Sequence, residues 1–184
     1  VKQLQLNTPR LLIRNLRTED LNDFHYYRSN PEVIKYQGSD VMNLEQAAGF
    51  IERMKDKSFG TPGEWVQYAI IDKATKRLVG DCGIHIHLQD RRIGEIGMTI
   101  SHDHQQKGFA KEAFTALLTY LFETENLHRV VETVDAENNA SIQLLKSMGF
   151  RQEGHFIENI FFKGKWGSEY QYAMLHTEWN TRKP

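Results

Sequence analysis

Along this chain apolar residues alternate with polar ones in several short stretches and elsewhere recur every three or four positions. The first pattern marks strands buried on one face, the second amphipathic helices. Arg10-Leu11-Leu12-Ile13-Arg14-Asn15-Leu16 reads as a first strand, and Thr18 as the cap of a helix from Glu19 to Arg28. Pro31 makes Asn30-Pro31-Glu32 a turn. Asn43-Leu44-Glu45-Gln46 has capping-box spacing and opens a second helix reaching about Lys55. Strands are predicted at Trp65 to Asp72, Leu78 to His87 and Ile93 to Ile100, separated by polar turns. A long helix runs from Gly108 to about Thr124, followed by the β-branched strand Arg129 to Val134. Asn138 or Asn139 then caps a helix carrying Ile142, Leu144, Leu145 and Met148, which Gly149 ends. Phe150 to Glu153 starts another strand, and Phe156 to Phe162 with Tyr170 to Leu175 close the chain. Hairpins first and strand–helix alternation afterwards predict an α/β chain of the α+β kind, with a mixed, mostly antiparallel sheet. No repeat or linker interrupts it, so residues 1–184 read as one domain.

Composition narrows the partners. The 184 residues carry a formal charge of −1, which gives no bulk attraction to nucleic acid or an anionic membrane. No apolar run approaches the ~20 residues of a membrane span, and the first residues lack a signal-peptide pattern. Cys82 is the single cysteine, so no internal disulfide can form. These observations together predict a cytoplasmic protein.

The candidate chemistry centres on Gln105-Gln106-Lys107-Gly108-Phe109-Ala110, between an apolar strand and an apolar helix. A helix entered at Gly108 leaves its first N–H groups unpaired at the positive end of the dipole, which makes an anion site. Lys107 does not make this a nucleotide triphosphate loop, because Phe109 follows Gly108 where that motif needs Lys-Ser/Thr. His85 and His87 share a strand face, with His102 and His104 nearby, yet no cysteine or carboxylate completes a metal-ligand spacing, and no metal is expected.

The ordered set of pieces resembles one family. Gln105, Gly108 and Ala110 match the acetyl-CoA pyrophosphate loop of the GNAT N-acetyltransferases. Val134-Asp135-Ala136-Glu137-Asn138-Asn139-Ala140-Ser141, then Leu145-Lys146-Ser147-Met148-Gly149-Phe150, is similar to the family's second signature. Thr8-Pro9-Arg10-Leu11-Leu12-Ile13-Arg14 and Tyr172-Ala173-Met174-Leu175 with Glu178-Trp179 resemble the RimJ/RimL-type branch.

The resemblance implies a GNAT fold with a splayed central strand pair flanked by helices, and acetyl-CoA as cofactor. It implies that main-chain groups of Met98, Thr99 and Ile100 pair with the pantetheine amides. Gln105, Gln106, Lys107, Gly108, Phe109, Ala110 and Lys111 would hold the pyrophosphate, and Asn138, a helix cap, would also touch the cofactor, as would Ser141. Ser141 is the implied proton donor to the leaving thiolate. Glu95 is the implied base, with Glu158 as the alternative.

Freeing an α-amine of pKa ~7.7–8.0 at pH 7 costs about 1 kcal/mol, against about 4–5 kcal/mol for a lysine-like amine. One carboxylate without clustered acids therefore suits a protein N-terminal α-amine. Acetylation of a small-molecule amine (antibiotic, polyamine or metabolite) and a non-catalytic acyl-CoA-binding module are the competing readings. Tyr26, Tyr27, Tyr36, Trp65, Trp166 and Tyr170 are candidate walls of the acceptor pocket, and an edge strand with the C-terminal hairpin could support a homodimer.

Overall fold

A computed structural model describes residues 2–182. Eight strands lie in chain order except for the last two: β1 (Gln5–Asn7), β2 (Leu11–Asn15), β3 (Trp65–Asp72), β4 (Leu78–Ile86), β5 (Ile93–Ile100), β6 (Arg129–Asp135), β7 (Arg151–Phe162) and β8 (Lys165–Leu175). They form one sheet in the order β1-β2-β3-β4-β5-β6-β8-β7. Every neighbouring pair is antiparallel except β5 and β6, which run parallel. That exception follows from connectivity: a helical crossover joins β5 to β6, whereas hairpins join β3 to β4 and β4 to β5.

Helices α1 (Leu21–Arg28) and α2 (Leu44–Met54) cover one face. Helices α3 (Phe109–Thr119), α4 (Asn139–Met148) and α5 (His176–Asn180) belong to the other. The larger core joins Phe114, Leu117, Leu118 and Leu121 to Tyr68, Cys82, Ile84 and Val130. The smaller one sets Phe24, Tyr27, Ala47 and Ile51 against Ala69 and Ile71. Alternation along β4 and β5 decides which face each residue serves. Ile96 and Ile100 enter the larger core, so Glu95, Gly97 and Thr99 turn toward the α1/α2 side.

Several boundaries differ from expectation for identifiable reasons. Thr18 does not cap α1. It sits in a 3-10 turn, Thr18–Asp20, and its hydroxyl donates to Glu52 on α2. Asp20 holds that turn instead, accepting from the Arg17 N–H and from both Arg14 guanidinium nitrogens at 2.8 Å. Asn43 and Gln46 do form the expected capping box. The long helix ends in a π-turn at Tyr120–Thr124. Strands β7 and β8 make one hairpin longer than the sequence suggested, because irregular register after Gln152 and Phe156 lets one strand pass through apparent breaks. Strand β1 and helix α5 were not anticipated; each is short.

Candidate active site

Strands β5 and β6 pair only through Ile93↔Arg129, Gly94↔Val130 and Glu95↔Val131, then part. The Ile96 N–H, next in line, donates to the Glu132 carboxylate at 2.9 Å instead of to a β6 carbonyl. Beyond this point the strands diverge around a cleft of about 730 Å³. Its walls include Met98, Thr99, Ile100, Gln105, Gln106, Gly108, Phe109, Ala110, Lys111, Asn138 and Ser141. Of the residues assigned to the cofactor from sequence, Lys107 alone is off the wall.

The main chain of β5 sorts these roles further. Because Ile96 faces β6, alternation turns Met98 and Ile100 the same way. The Met98 carbonyl accepts from Gln37 Nε2 at 3.4 Å and that of Ile100 from Gln105 Nε2 at 3.1 Å. Thr99 differs: its carbonyl crowds the place where a Cβ on Gly80 would sit, so its main chain faces β4. Thr99 lines the cleft, and its Oγ1 is buried with no hydrogen-bond partner among the described residues.

The anion loop is built from backbone. Gln106 and Gly108 both adopt left-handed conformations, at φ 59° and 79°. Gly108 caps α3 with no side-chain hydrogen bond, which leaves the first-turn N–H groups to a ligand. Arg10 braces the loop from outside, donating to the Lys107 carbonyl at 2.9 Å and to Glu112 at 2.6 Å, its guanidinium 4.7 Å over the Phe109 ring. Lys107 therefore serves the loop through its carbonyl.

Asn138 caps α4, its Oδ1 accepting from the Ser141 N–H at 3.2 Å. The Ser141 hydroxyl is half-buried and makes no hydrogen bond within the described residues, so the local bonding common for serine in a first turn is not its role.

The carboxylates are arranged differently from the sequence expectation. Glu95 is off the cleft wall, with one oxygen, Oε1, 3.1 Å from His85 Nδ1 and 2.8 Å from His87 Nε2. A carboxylate does stand beside the histidine pair, contrary to the sequence expectation: the β4–β5 register places Glu95 opposite His85 and diagonal to His87. Glu158 lies on the exposed β7 strand in a left-handed conformation, its N–H donating to Ser168 Oγ. The cleft does contain acids, Glu32, Asp135 and Glu169, together with the buried Glu132. Burial holds the Glu132 carboxyl well above its usual range, opposed in part by the Ile96 N–H and reinforced by the charge of Glu95.

Sequence reasoning missed Glu132. Its signal was an acid sharing a strand face with Val130 and Val134, where period-2 patterning asks for another apolar residue. Asp81 is a similar case within Val79 to Ile84. Fully buried, it accepts from Tyr27 Oη at 2.6 Å, from Arg28 Nη2 at 2.5 Å and from Gln67 Nε2. Of the six candidate wall aromatics only Tyr36 lines the cleft. Tyr27 is tied to Asp81, Trp65 stacks on His85, and Trp166 meets Phe161 edge-on. Cys82 is buried, and burial with the Asp81 charge beside it pushes its thiol up. It is not available as a nucleophile.

A parallel strand pair that splays over a backbone-built anion loop defines a class of acyl-CoA-handling transferases, and sequence comparison agrees. The profile of the Acetyltransferase (GNAT) domain family matches residues 10–151, and the chain belongs to this family. It is an acetyl-CoA-dependent N-acetyltransferase. A Bacillus licheniformis protein, Uncharacterized N-acetyltransferase p20, is 34% identical over 95% of this chain and 97% of its own. The crystal structure of a GNAT-family acetyltransferase from Bacillus anthracis superposes with a TM-score of 0.86 at 30% identity, covering 95% of this chain and all of that one. More distant relatives differ in acceptor. A Vibrio cholerae spermidine N(1)-acetyltransferase is 26% identical over 94% of this chain and 96% of its own. The Escherichia coli [ribosomal protein uS5]-alanine N-acetyltransferase is 24% identical over 97% and 94%.

Proposed function

We propose that this chain acts as one domain that acetylates the α-amine of a protein N-terminus, in the manner of the RimJ/RimL-type branch, by direct attack within a ternary complex. The observation that carries direct transfer is a single cleft running from the α3 cap to the free Ser141 hydroxyl, with the only cysteine buried away from it.

In this reading the pyrophosphate sits on the N–H groups after Gln105 and the pantetheine pairs with Met98 and Ile100 in the gap left by β6. The Met98 N–H polarises the thioester carbonyl. The neutral amine attacks that carbon, the carbon–sulfur bond breaks, and the Ser141 hydroxyl gives its proton to the thiolate, recovering it from solvent. The amine proton leaves through water toward Glu95, whose contacts with His85 and His87 both fall on Oε1.

A second reading has a specific observation in its favour. Glu32, Asp135 and Glu169 all line the cleft, and three acids on one wall suit a small polycation such as a polyamine. Release of free thiol from acetyl-CoA, measured with peptides of varied N-terminal residue and with polyamines, separates the two. Turnover on peptides with capped amines remaining inert supports the α-amine reading. Turnover confined to polyamines replaces it, and cofactor binding with no turnover on any amine leaves only an acyl-CoA-binding module.

A further inference from the structure

On the α1/α2 face of the sheet, away from the cleft wall, three ligand-bearing side chains converge. His85, His87 and Glu95 each bring one donor atom to within 4.8 Å of the other two. The geometry is set by strand pairing. Glu95 stands directly opposite His85 and reaches its nearer ring nitrogen, Nδ1, while the diagonal His87 reaches back with its farther nitrogen, Nε2.

Both contacts end on the same carboxylate oxygen, at 3.1 and 2.8 Å. Ligand atoms held 2.0–2.1 Å from one ion are about 2.8–3.4 Å apart, across octahedral to tetrahedral angles, so both edges suit a shared cation. The Trp65 indole is stacked on the His85 ring at 5.3 Å and 20°, fixing its plane. All three ligands are half-buried, which leaves one side open to water.

We propose that His85, His87 and Glu95 bind one divalent transition-metal ion of the zinc or cobalt type, with solvent completing the coordination. Two imidazoles and one carboxylate select borderline metals over magnesium or calcium, which favour all-oxygen shells. Three protein ligands leave a position for water or an incoming group.

The test uses tag-free protein stripped with chelator and titrated by calorimetry with zinc, then with magnesium. One zinc per chain and no magnesium binding are expected. Cobalt should give visible absorption bands of low-symmetry intensity that zinc abolishes by displacement. His87→Ala and Glu95→Gln should each weaken zinc binding by well over tenfold, since even an outer partner of a metal site is worth roughly 10–100-fold. His102→Ala, which removes the histidine beside Asp103, should leave it unchanged. Wild-type melting temperature and acetyl-CoA affinity in the variants establish that they fold. No zinc retained by the wild type, or retention equal in His87→Ala and Glu95→Gln, overturns the site. The site shares Glu95 with the proposed proton path, but because binding is read without turnover, its failure and the failure of the acetyltransferase reading are distinguishable.

Discussion

In the proposed function the cleft has two halves built on different principles. The donor half is made of backbone: the turn through Gln106 and Gly108, the open first turn of α3 and the unpaired edge of β5. Its side chains support that backbone: Arg10 braces the loop at the Lys107 carbonyl, and Asn138, on the cleft wall, caps α4. The acceptor half is made of side chains from distant elements, Glu32 and Tyr36 after α1, Ile160 and Phe162 on β7, and Glu169 on β8. Behind it stands the buried Arg28–Asp81–Tyr27 group. A backbone site needs small residues and tolerates change elsewhere, whereas a side-chain site can be retuned without disturbing the fold. One scaffold can therefore keep its donor while its relatives differ in acceptor.

Substitutions can break this division. Gly108→Trp should do most damage to the donor half. It places a bulky side chain against the loop at φ 79° and within 3.3 Å of Arg10. Losing two charge-assisted hydrogen bonds of ~1.5–3 kcal/mol each lowers acetyl-CoA affinity roughly 10²–10⁴-fold by calorimetry. The fold should survive, since the backbone strain costs only about 1–3 kcal/mol. Asp81→Ala should do the reverse. It strands Arg28, whose side chain is 6% exposed, and should cost about 3–5 kcal/mol in chemical denaturation. Acetyl-CoA affinity of the folded fraction should change little.

Ser141→Ala sits where the halves meet. With the hydroxyl acting on the thiolate, kcat should fall roughly 10²-fold while the acetyl-CoA dissociation constant is unchanged. Equal rates at saturating substrates would remove it from the mechanism.

Glu132→Gln probes the split between β5 and β6 and has the smallest expected effect. The folded state raises this carboxyl above its unfolded value, so it favours the protonated form. The stability that proton brings is complete below the unfolded pKa of about 4.3 and is lost as pH rises through the folded value. Gln keeps an acceptor for the Ile96 N–H and carries no charge. Thermal melts of the ligand-free protein should therefore show a gain that is absent in acid and grows toward neutral pH, about 2–4 °C for each kcal/mol. A variant less stable than wild type at pH 7 would contradict the burial argument.

The turn before α3, the Asn138 cap and strand β5 were legible in sequence because their determinants are local. A glycine before a helix, an asparagine three residues before a serine, and alternation along β5 all act within a few positions. Legibility ended where contacts depend on register. Glu95 meets His85 and His87 only because a hairpin folds β5 onto β4, and Thr99 trades its main-chain role for a side-chain one by strand parity. Glu132 carried a sequence signal, an acid on an apolar strand face, but its partner lies 36 residues away. The acceptor wall had no local signature, since Glu32 after α1, Asp135 on β6 and Glu169 on β8 come to one cleft only in the folded chain.

Direct transfer in one cleft is the central claim, and the initial-rate pattern tests it most directly. With acetyl-CoA and an active amine varied together, double-reciprocal lines should intersect, and protein quenched in acid after acetyl-CoA alone should keep its mass. Parallel lines, with one acetyl group carried on the chain, would contradict it.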